Sequence, residues 1–310
     1  MIERRPILIS GPTASGKSEF ALRLAAHVDG VIVNTDSMQV YKELKILSGR
    51  PSETDEARVE HDLYGHVPMA EAYSVGRFLR EMQSVLHKRR EGTKPLFLVG
   101  GTGLYFKALL EGISPIPEVP SNIRNYWRSE AQRYGAEMLY NRLSECDPQT
   151  AARLCSSDIQ RLVRALEVFE GTGRSLTDWQ KEKSPPLLNP QDCIRLLLFP
   201  ERGELYARCD ARFDKMMLSG AQAEAEAILA LALDPALPSM RALGLRPLIR
   251  HHQGEIGRNE AVFEAKAETR KYIKRQSTWI KGNMITWNIL PKQQMERNEE
   301  EIMAFINSLP

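Results

Sequence analysis

Residues 11–18 read Gly-Pro-Thr-Ala-Ser-Gly-Lys-Ser, which fits the phosphate-loop pattern G-x-x-x-x-G-K-[ST]. The apolar run Ile7–Leu8–Ile9 before it predicts a short buried strand, and Glu19 to Val28 predict an amphipathic helix after it. Glycines let backbone amides turn inward around phosphate oxygens, and the N-terminus of the following helix adds positive charge. The stretch therefore predicts a phosphate site, in which Lys17 reaches the terminal phosphate and the Ser18 hydroxyl is a ligand of Mg²⁺.

Strands and helices alternate around this loop. Val31–Ile32–Val33 and Leu96–Phe97–Leu98–Val99 predict two further strands, and Ser74 precedes a run whose apolar residues recur at helical spacing. Further along, Ile194 to Phe199 predict another strand, and Met284 to Ile289 are a candidate last one. Such alternation is typical of a parallel sheet with helices on its faces, so we predict an α/β fold with a P-loop NTPase-like core.

Two proline-rich stretches interrupt this pattern, at Gly112 to Pro120 and at Ser184 to Pro190. Proline lacks an amide hydrogen and disfavours helix in the residue before it, so both stretches predict boundaries. Residues 121–183 between them read as wholly helical. The prediction is a discontinuous core of residues 1–115 and 190–310 and an all-helical insertion of residues 116–189.

Composition excludes several classes of protein. With 42% hydrophobic and 26% charged residues among 310, the chain can bury a core. Its longest apolar run, Ala227 to Leu233, is too short to span a bilayer. Only the apolar residues Ile7 to Ile9 follow Arg4 and Arg5, so we expect no signal peptide. The four cysteines lack CxxC or zinc spacing, so we expect reduced thiols. We also expect a cytoplasmic protein that binds no membrane. The near balance of 42 basic and 40 acidic residues excludes a generally polycationic nucleic-acid binder.

A single carboxylate follows a predicted strand end. ATPases generally need an acid at the end of a second hydrophobic strand, yet neither the strand at 96–99 nor that at 194–199 is followed directly by one. Only Val31–Val33 leads to an acid, Asp36. One acid beside a phosphate loop suits a general base acting on an acceptor. The alternative is a structural Asx-turn within Asn34–Ser37.

Beside the loop at 11–18, the motifs Asp36-Ser-Met-Gln-Val-Tyr41 and Gly100-Gly-Thr-Gly-Leu-Tyr105 resemble those of the tRNA dimethylallyltransferase (tRNA isopentenyltransferase) family. The resemblance spans almost the whole chain and continues through Leu109–Gly112, Arg161–Val168, Thr269–Gln276 and Thr278-Trp279. It implies transfer of a dimethylallyl group from dimethylallyl diphosphate to the exocyclic amine of the adenosine just 3′ of the tRNA anticodon. The phosphate loop and Mg²⁺ would then hold the diphosphate leaving group.

The resemblance also implies roles for individual residues. Asp36 would be the general base and Thr102 would help to hold the reacting centre. The implied diphosphate site consists of Gly11, Pro12, Thr13, Ala14, Ser15, Gly16, Lys17, Ser18, Arg208 and Arg212. The implied tRNA contacts are Asp36, Ser37, Met38, Gln39, Thr102, Arg124, Gln160, Arg161, Leu162, Val163, Arg164, Arg241, Gly244, Arg246, Lys274, Arg275, Gln276, Trp279 and Lys281. Without the resemblance, a solvated basic face is the favoured interpretation of Arg208 and Arg212.

Two stretches suit contact with tRNA. Between Arg270 and Lys281 the chain has five basic and two interleaved aromatic residues and no acid, which favours phosphate contacts and stacking on bases, with a solvated basic helix as the alternative. In the insertion, Gln160, Arg161 and Arg164 can share one polar helix face. A stacked adenine must be extruded before its amine can react, so we expect the insertion to grip the anticodon stem-loop while the base enters the core.

Three positions depart from the family pattern. Gly49 lies in Ile46–Pro51, where relatives commonly read I-G-T-A-K-P, Gly65 stands where an aspartate is common, and Leu245 replaces a usual tyrosine. These departures weaken the transfer of family roles at these positions only, and none of them is a proposed catalytic residue.

Two other classes of function use part of these features. A P-loop kinase, with ATP as donor, would explain Lys17 and Ser18 but leaves the turn at 100–103 and the basic stretch at 270–281 without a purpose. A non-catalytic RNA-binding protein leaves Asp36 unexplained. The sequence therefore favours a magnesium-dependent prenyl transferase, expected to act as a monomer.

Overall fold

Six parallel strands form one sheet in the part of the chain that the computed structural model describes, residues 5–89 and 92–309. The strands are β1 (Ile7–Ser10), β2 (Val31–Asn34), β3 (Glu60–Asp62), β4 (Leu96–Gly100), β5 (Ile194–Leu197) and β6 (Asn288–Ile289). Their order is β3-β2-β4-β1-β5-β6, and all neighbours run parallel. Because β4 lies between β1 and β2, the segments that follow these three strands meet at one edge of the sheet.

Helices lie between the strands and after the last one. They are α1 (Lys17–His27), α2 (Glu53–Arg58), α3 (Val75–Arg89), α4 (Gly103–Glu111), α5 (Ser121–Cys146), α6 (Pro148–Ala151), α7 (Ile159–Thr172), α8 (Leu176–Trp179), α9 (Arg202–Leu218), α10 (Ala221–Ala230), α11 (Leu245–His252), α12 (Arg258–Asn283), α13 (Lys292–Met295) and α14 (Glu299–Ser308). Short 3₁₀ turns occupy Pro190–Asp192 and Pro238–Arg241. The Ser74 hydroxyl accepts a hydrogen bond from the amide of Arg77 at 3.2 Å, which confirms the predicted cap of α3.

Apolar side chains of the strands pack on both faces of the sheet. Leu8 and Leu98 belong to one buried cluster, whereas Ile7, Ile9 and Phe97 belong to another. Side chains alternate between the faces of a strand, so a continuous apolar run supplies both clusters. The structure therefore confirms the predicted α/β fold with a parallel sheet.

The chain divides into two compact units. The first contains the sheet and comprises the residues up to Leu110 together with those from Leu187 onward, and the second, which we call the helical unit, is Glu111–Pro186. The helical unit has its own apolar core, with Trp127 of α5 and Leu162 of α7 among its members. The Asp158 side chain accepts from the amide of Arg161 at 3.2 Å, which confirms that it caps α7. Within this unit residues 153–158 form turns, so the stretch is not wholly helical.

The prediction of a strand over Met284 to Ile289 is wrong for most of its length. Helix α12 continues to Asn283, and only Asn288 and Ile289 pair with β5. Met284 and Trp287 are buried, and the Trp287 amide donates to the Met284 carbonyl oxygen at 3.2 Å. These apolar residues therefore fill the core from a turn, which a pattern of apolar residues does not distinguish from a short strand.

Two further findings concern the cysteines and the helices. All four cysteines are free, as predicted. Among the described residues, no helix combines the length and the apolar character needed to cross a bilayer.

Candidate active site

The loop Gly11–Ser18 joins β1 to α1 at the carboxyl edge of the sheet. A side chain at Gly11 would collide with the Leu198 carbonyl oxygen and lie 2.7 Å from the Ser15 hydroxyl, so the close approach requires glycine. Gly16 has a φ of 89°, a left-handed conformation that glycine adopts without strain. Helix α1 begins at the next residue, so its N-terminal amides face the loop. This geometry suits an anion.

Lys17 lies within this loop rather than in solvent. Its side chain is 9% exposed, and Nζ donates to the Pro12 carbonyl oxygen at 3.4 Å. Burial lowers the pKa of Lys17 to about 8; the Asp36 carboxylate opposes this shift and Arg212 adds to it. The site therefore holds a buried cation near a second cation, an arrangement that a bound anion would stabilise.

Helix α9 brings two arginines to this region. Arg208 Nη1 lies 3.9 Å from the position that a Cβ on Gly16 would take, and Arg208 also pairs with Glu204 at 2.5 Å. The Arg212 guanidinium fills the space beside Gly49, whose φ is 61°, so any side chain at Gly49 would collide with it. Burial lowers the pKa of Arg212, and Asp36 opposes that shift.

Asp36 uses its two carboxylate oxygens differently. Oδ1 accepts from the amide of Met38 at 3.0 Å, which is the Asx-turn that the sequence left as an alternative. Oδ2 lies 3.3 Å from the position that a Cβ on Gly101 would take. The turn is therefore compatible with a chemical role, because one oxygen anchors the side chain and the other faces the turn after β4.

Asn34 positions the backbone around Asp36, and it was not among the residues predicted from the sequence. Its Oδ1 accepts from the Asp36 amide at 2.8 Å, and its Nδ2 donates to the carbonyl oxygens of Asp36 and Leu63 at 2.9 and 3.0 Å. Asn34 is buried, so these bonds fix the backbone that carries the acid. In the sequence, the only indication of this role is an asparagine that directly follows the apolar residues of a predicted strand.

Glycines after β4 allow three neighbours to approach the backbone closely. A Cβ on Gly101 would lie 2.7 Å from Gln276 Nε2 and 3.3 Å from Asp36 Oδ2. A Cβ on Gly103 would collide with the Trp279 indole. The turn at 100–103 thus brings α12 against the loop that carries Asp36. The alternative of a P-loop kinase gave this turn no such role.

Thr102 holds the segment that follows Asp36. Its Oγ1 accepts from the Ser37 amide at 3.0 Å and donates to the Ser37 hydroxyl at 3.3 Å. Gln39 is buried, and its Nε2 donates to the carbonyl oxygens of Ser48 and Gly49, each at 3.1 Å. Both side chains therefore stabilise this loop, and the Gln39 amide nitrogen is engaged within the protein.

Predicted RNA contacts on the sheet-containing unit differ in exposure. Lys274, Arg275 and Lys281 are exposed on α12, whereas Gln276 is buried. The other exposed members are Arg241 and Arg246, while Trp279 and Met38 are half-buried and Gly244 is buried. The exposed cations are available to phosphates; Gly244 instead adopts a φ of 79° at the start of α11, close to the Phe213 ring.

In the helical unit, the residues of α7 that were predicted to contact tRNA lie on two different faces of the helix. Gln160, Arg161 and Arg164 are exposed, and Arg124 of α5 is half-buried. Leu162 and Val163 pack into the apolar core of the unit, so their side chains face no solvent. The amphipathic pattern of α7 explains this division.

A buried acid of the helical unit holds two arginines. Glu167 is 4% exposed, and its carboxylate oxygens lie 3.5 Å from Arg128 Nε and 3.6 Å from Arg164 Nη1. Arg128 is exposed on α5, one helical turn after Arg124, and was not among the predicted tRNA contacts. The spacing of one helical turn between Arg124 and Arg128 could have indicated from the sequence that both lie on one face of α5.

Two of the three positions that depart from the family pattern, Gly65 and Gly49, have structural explanations. At Gly65, whose φ is 53°, the Arg50 guanidinium fills the space of a side chain and donates to the Tyr41 carbonyl oxygen at 3.3 Å. At Gly49, the Arg212 guanidinium fills the space that a side chain would take. Leu245 is fully buried in the core.

The loop fits a magnesium ion that arrives with a diphosphate. Ser18 lies exposed in the first turn of α1. Within residues 5–89 and 92–309, no cluster of three or more histidine, cysteine or acidic side chains could hold a metal by itself. Mg²⁺ usually keeps several waters and binds through substrate phosphates and few protein groups. A single hydroxyl beside a phosphate loop is a donor set of that kind.

The parallel sheet, the phosphate loop, the cations around it and the single acid at the same edge define a P-loop-type group-transfer enzyme. Two family patterns match the sequence: "IPP transferase" over residues 39–283 and "Isopentenyl transferase" over residues 5–63. The chain therefore belongs to the isopentenyl (IPP) transferase family.

Individual relatives agree with this assignment. A tRNA dimethylallyltransferase of Bradyrhizobium sp. (strain ORS 278) is 52% identical over 283 residues, which cover 91% of this chain and 92% of the relative. The tRNA dimethylallyltransferase of Parvibaculum lavamentivorans is 47% identical over 306 residues, 98% of this chain and 96% of the relative. The resemblance read from the motifs is confirmed.

Solved structures agree as well. The tRNA isopentenylpyrophosphate transferase of Bacillus halodurans superposes with a TM-score of 0.68 at 27% identity, over 98% of this chain and 95% of that one. A eukaryotic dimethylallyltransferase acting on tRNA gives 0.81 at 24% identity, over 99% of this chain and 80% of that one. The second likeness supports the fold alone.

Proposed function

We propose that this protein transfers the dimethylallyl group of dimethylallyl diphosphate to the exocyclic amine of the adenosine 3′-adjacent to the tRNA anticodon. The observation that carries the proposal is the placement of Asp36 Oδ2 at the same sheet edge as the phosphate loop. Membership of the family and the names of its relatives support the reaction class.

The leaving group would bind in the loop Gly11–Ser18. Negative charge grows on the diphosphate as the allylic C–O bond breaks, and cations already in place stabilise that charge without reorganisation. Lys17, Arg208 and Arg212 are such cations. A magnesium ion held by Ser18 and the diphosphate would supply further charge neutralisation.

Asp36 would act as the general base. The adenine amine attacks the allylic carbon, so that a C–N bond forms as the C–O bond to diphosphate breaks, and the amine proton passes to Asp36 Oδ2. The Met38 amide holds Oδ1, which fixes the direction of Oδ2. Thr102 would contribute by holding Ser37 and the rest of this loop.

The exposed cations supply candidate tRNA contacts on each unit. On the sheet-containing unit they include Lys274, Arg275 and Lys281, and on the helical unit Arg161 and Arg164. Phosphate contacts of this kind give affinity and register without reading sequence. Because all assigned groups lie on one chain and the substrate is tRNA, we expect a monomer that works in the cytoplasm.

The test is incubation of the protein with unmodified tRNA, dimethylallyl diphosphate and Mg²⁺, followed by mass spectrometry of the nucleosides. We expect dimethylallyl adenosine at the position 3′ of the anticodon, and none when the donor is omitted. Intact tRNA binding without any prenylated nucleoside would contradict the proposal. Acceptor-stimulated cleavage of ATP at a comparable rate would favour a kinase instead.

A further inference from the structure

The amide of Gln276 on α12 connects the two sides of the proposed site. Its Oε1 accepts from the backbone amide of Thr13 in the phosphate loop at 2.9 Å, and its Nε2 donates to the Gly101 carbonyl oxygen at 3.0 Å. The side chain is 7% exposed. One acceptor and one donor of the amide are thus satisfied by backbone groups of two different loops.

The same amide lies beside the proposed base. A Cβ on Gly101 would meet both Gln276 Nε2 and Asp36 Oδ2, at 2.7 and 3.3 Å. The amide and the carboxylate therefore border the same space beside Gly101, and a shift of this turn would change the space that Oδ2 faces. The Thr13 amide, on the other side, belongs to the loop proposed to hold diphosphate.

We infer that Gln276 is a positioning residue that sets the spacing between the phosphate loop and the Asp36 edge, and not an RNA contact. The inference rests on the proposed function, whereas the two hydrogen bonds are observed independently of that function. It assigns the neighbouring residues of α12 different tasks: Lys274 and Arg275 are exposed, whereas Gln276 points into the protein.

Loss of the Gln276 amide leaves the half-buried Thr13 amide and Gly101 carbonyl without this partner. Such groups are expensive to leave unpaired, so the loops must move apart or admit water. Reacting groups displaced by about 1 Å commonly lose about 100-fold in rate. We therefore expect the chemistry to suffer more than tRNA binding.

Two substitutions separate the positioning role from an RNA contact. Gln276→Met keeps the length of the side chain and removes both hydrogen bonds. Gln276→Glu keeps the acceptor for Thr13 and places a carboxylate where any directly contacted RNA phosphate would be repelled. Thr278→Ala is the matched control, because Thr278 is exposed on the same helix and its hydroxyl donates only to the Lys274 carbonyl among the described contacts.

The readouts are kcat and KM for dimethylallyl diphosphate at saturating tRNA, the affinity for magnesium pyrophosphate by calorimetry, and tRNA affinity, with thermal unfolding as a check on folding. For Gln276→Met we expect kcat to fall by about tenfold or more and pyrophosphate to bind more weakly. For both variants tRNA affinity should stay within about twofold of wild type, as should every readout of Thr278→Ala.

Weakened tRNA binding with unchanged pyrophosphate affinity, most severe for Gln276→Glu, would overturn the inference. Wild-type kcat and pyrophosphate affinity in a folded Gln276→Met would overturn it as well. The two binding measurements need no turnover, so a wild-type protein that prenylates no tRNA would refute the proposed function while the role of Gln276 is still decided.

Discussion

Alkaline pH should weaken donor binding through Lys17. Burial lowers the pKa of this lysine to about 8, so its ammonium loses a proton as the pH rises from 7 to 9. If only the charged form holds the diphosphate, the apparent dissociation constant rises in inverse proportion to the charged fraction. Binding should then be about tenfold weaker at pH 9 than at pH 7, or about 1.4 kcal/mol.

The assay is calorimetric titration with dimethylallyl diphosphate and Mg²⁺ across this pH range, in buffers of different ionisation enthalpy. The donor's own phosphate oxygens contribute little to the change in affinity over this range, because phosphate esters ionise for the second time near pH 6. Binding above pH 8 should take up a proton. In Lys17→Arg, whose guanidinium stays charged, the affinity should be independent of pH over this range.

A flat wild-type affinity between pH 7 and 9, or the same slope in Lys17→Arg, would refute the reasoning. The free energy of unfolding supplies a second check, because its dependence on pH has the opposite sign to that of donor binding. An unfolded lysine titrates near 10.4, so between about pH 8 and 10 the unfolded chain binds more protons at this residue than the folded one. The contribution of Lys17 to stability therefore increases as the pH rises through that window, and chemical denaturation of wild type against Lys17→Met measures it.

Asp36→Asn should retain tRNA and diphosphate binding and lose about 100- to 10,000-fold in single-turnover rate, because it removes a positioned base; a wild-type-like rate would end that assignment. Arg208→Ala should lower the rate with dimethylallyl diphosphate by about 100-fold while tRNA affinity holds, since the cation acts where charge grows, and an equal loss of tRNA affinity would contradict this. Arg161→Ala combined with Arg164→Ala should weaken tRNA binding in a salt series and flatten the log–log slope by roughly one unit per lost phosphate contact. The affinity for dimethylallyl diphosphate should stay unchanged in that double variant. An unchanged salt dependence of tRNA binding would show that these arginines of α7 do not contact tRNA phosphates.

Local patterns determined the framework of this protein. The apolar run before Gly11–Ser18 and the helix after it predict the strand, loop and helix that the structure contains. Asp158 predicts the start of α7, and the alternation of strands and helices predicts the parallel sheet. Each of these features depends on residues a few positions apart, whose periodicity and capping chemistry are visible in the chain.

Tertiary structure alone decided how the site is held together. Gln276 meets Thr13 across 263 residues and Gly101 across 175, Arg212 packs against Gly49, and Met284 turns into the core where a strand was predicted. Backbone amides and carbonyls of a loop carry no sequence signal for the side chain that satisfies them. The partner of a buried polar group is therefore set by which elements the completed fold brings within hydrogen-bond distance, and a local pattern does not encode that.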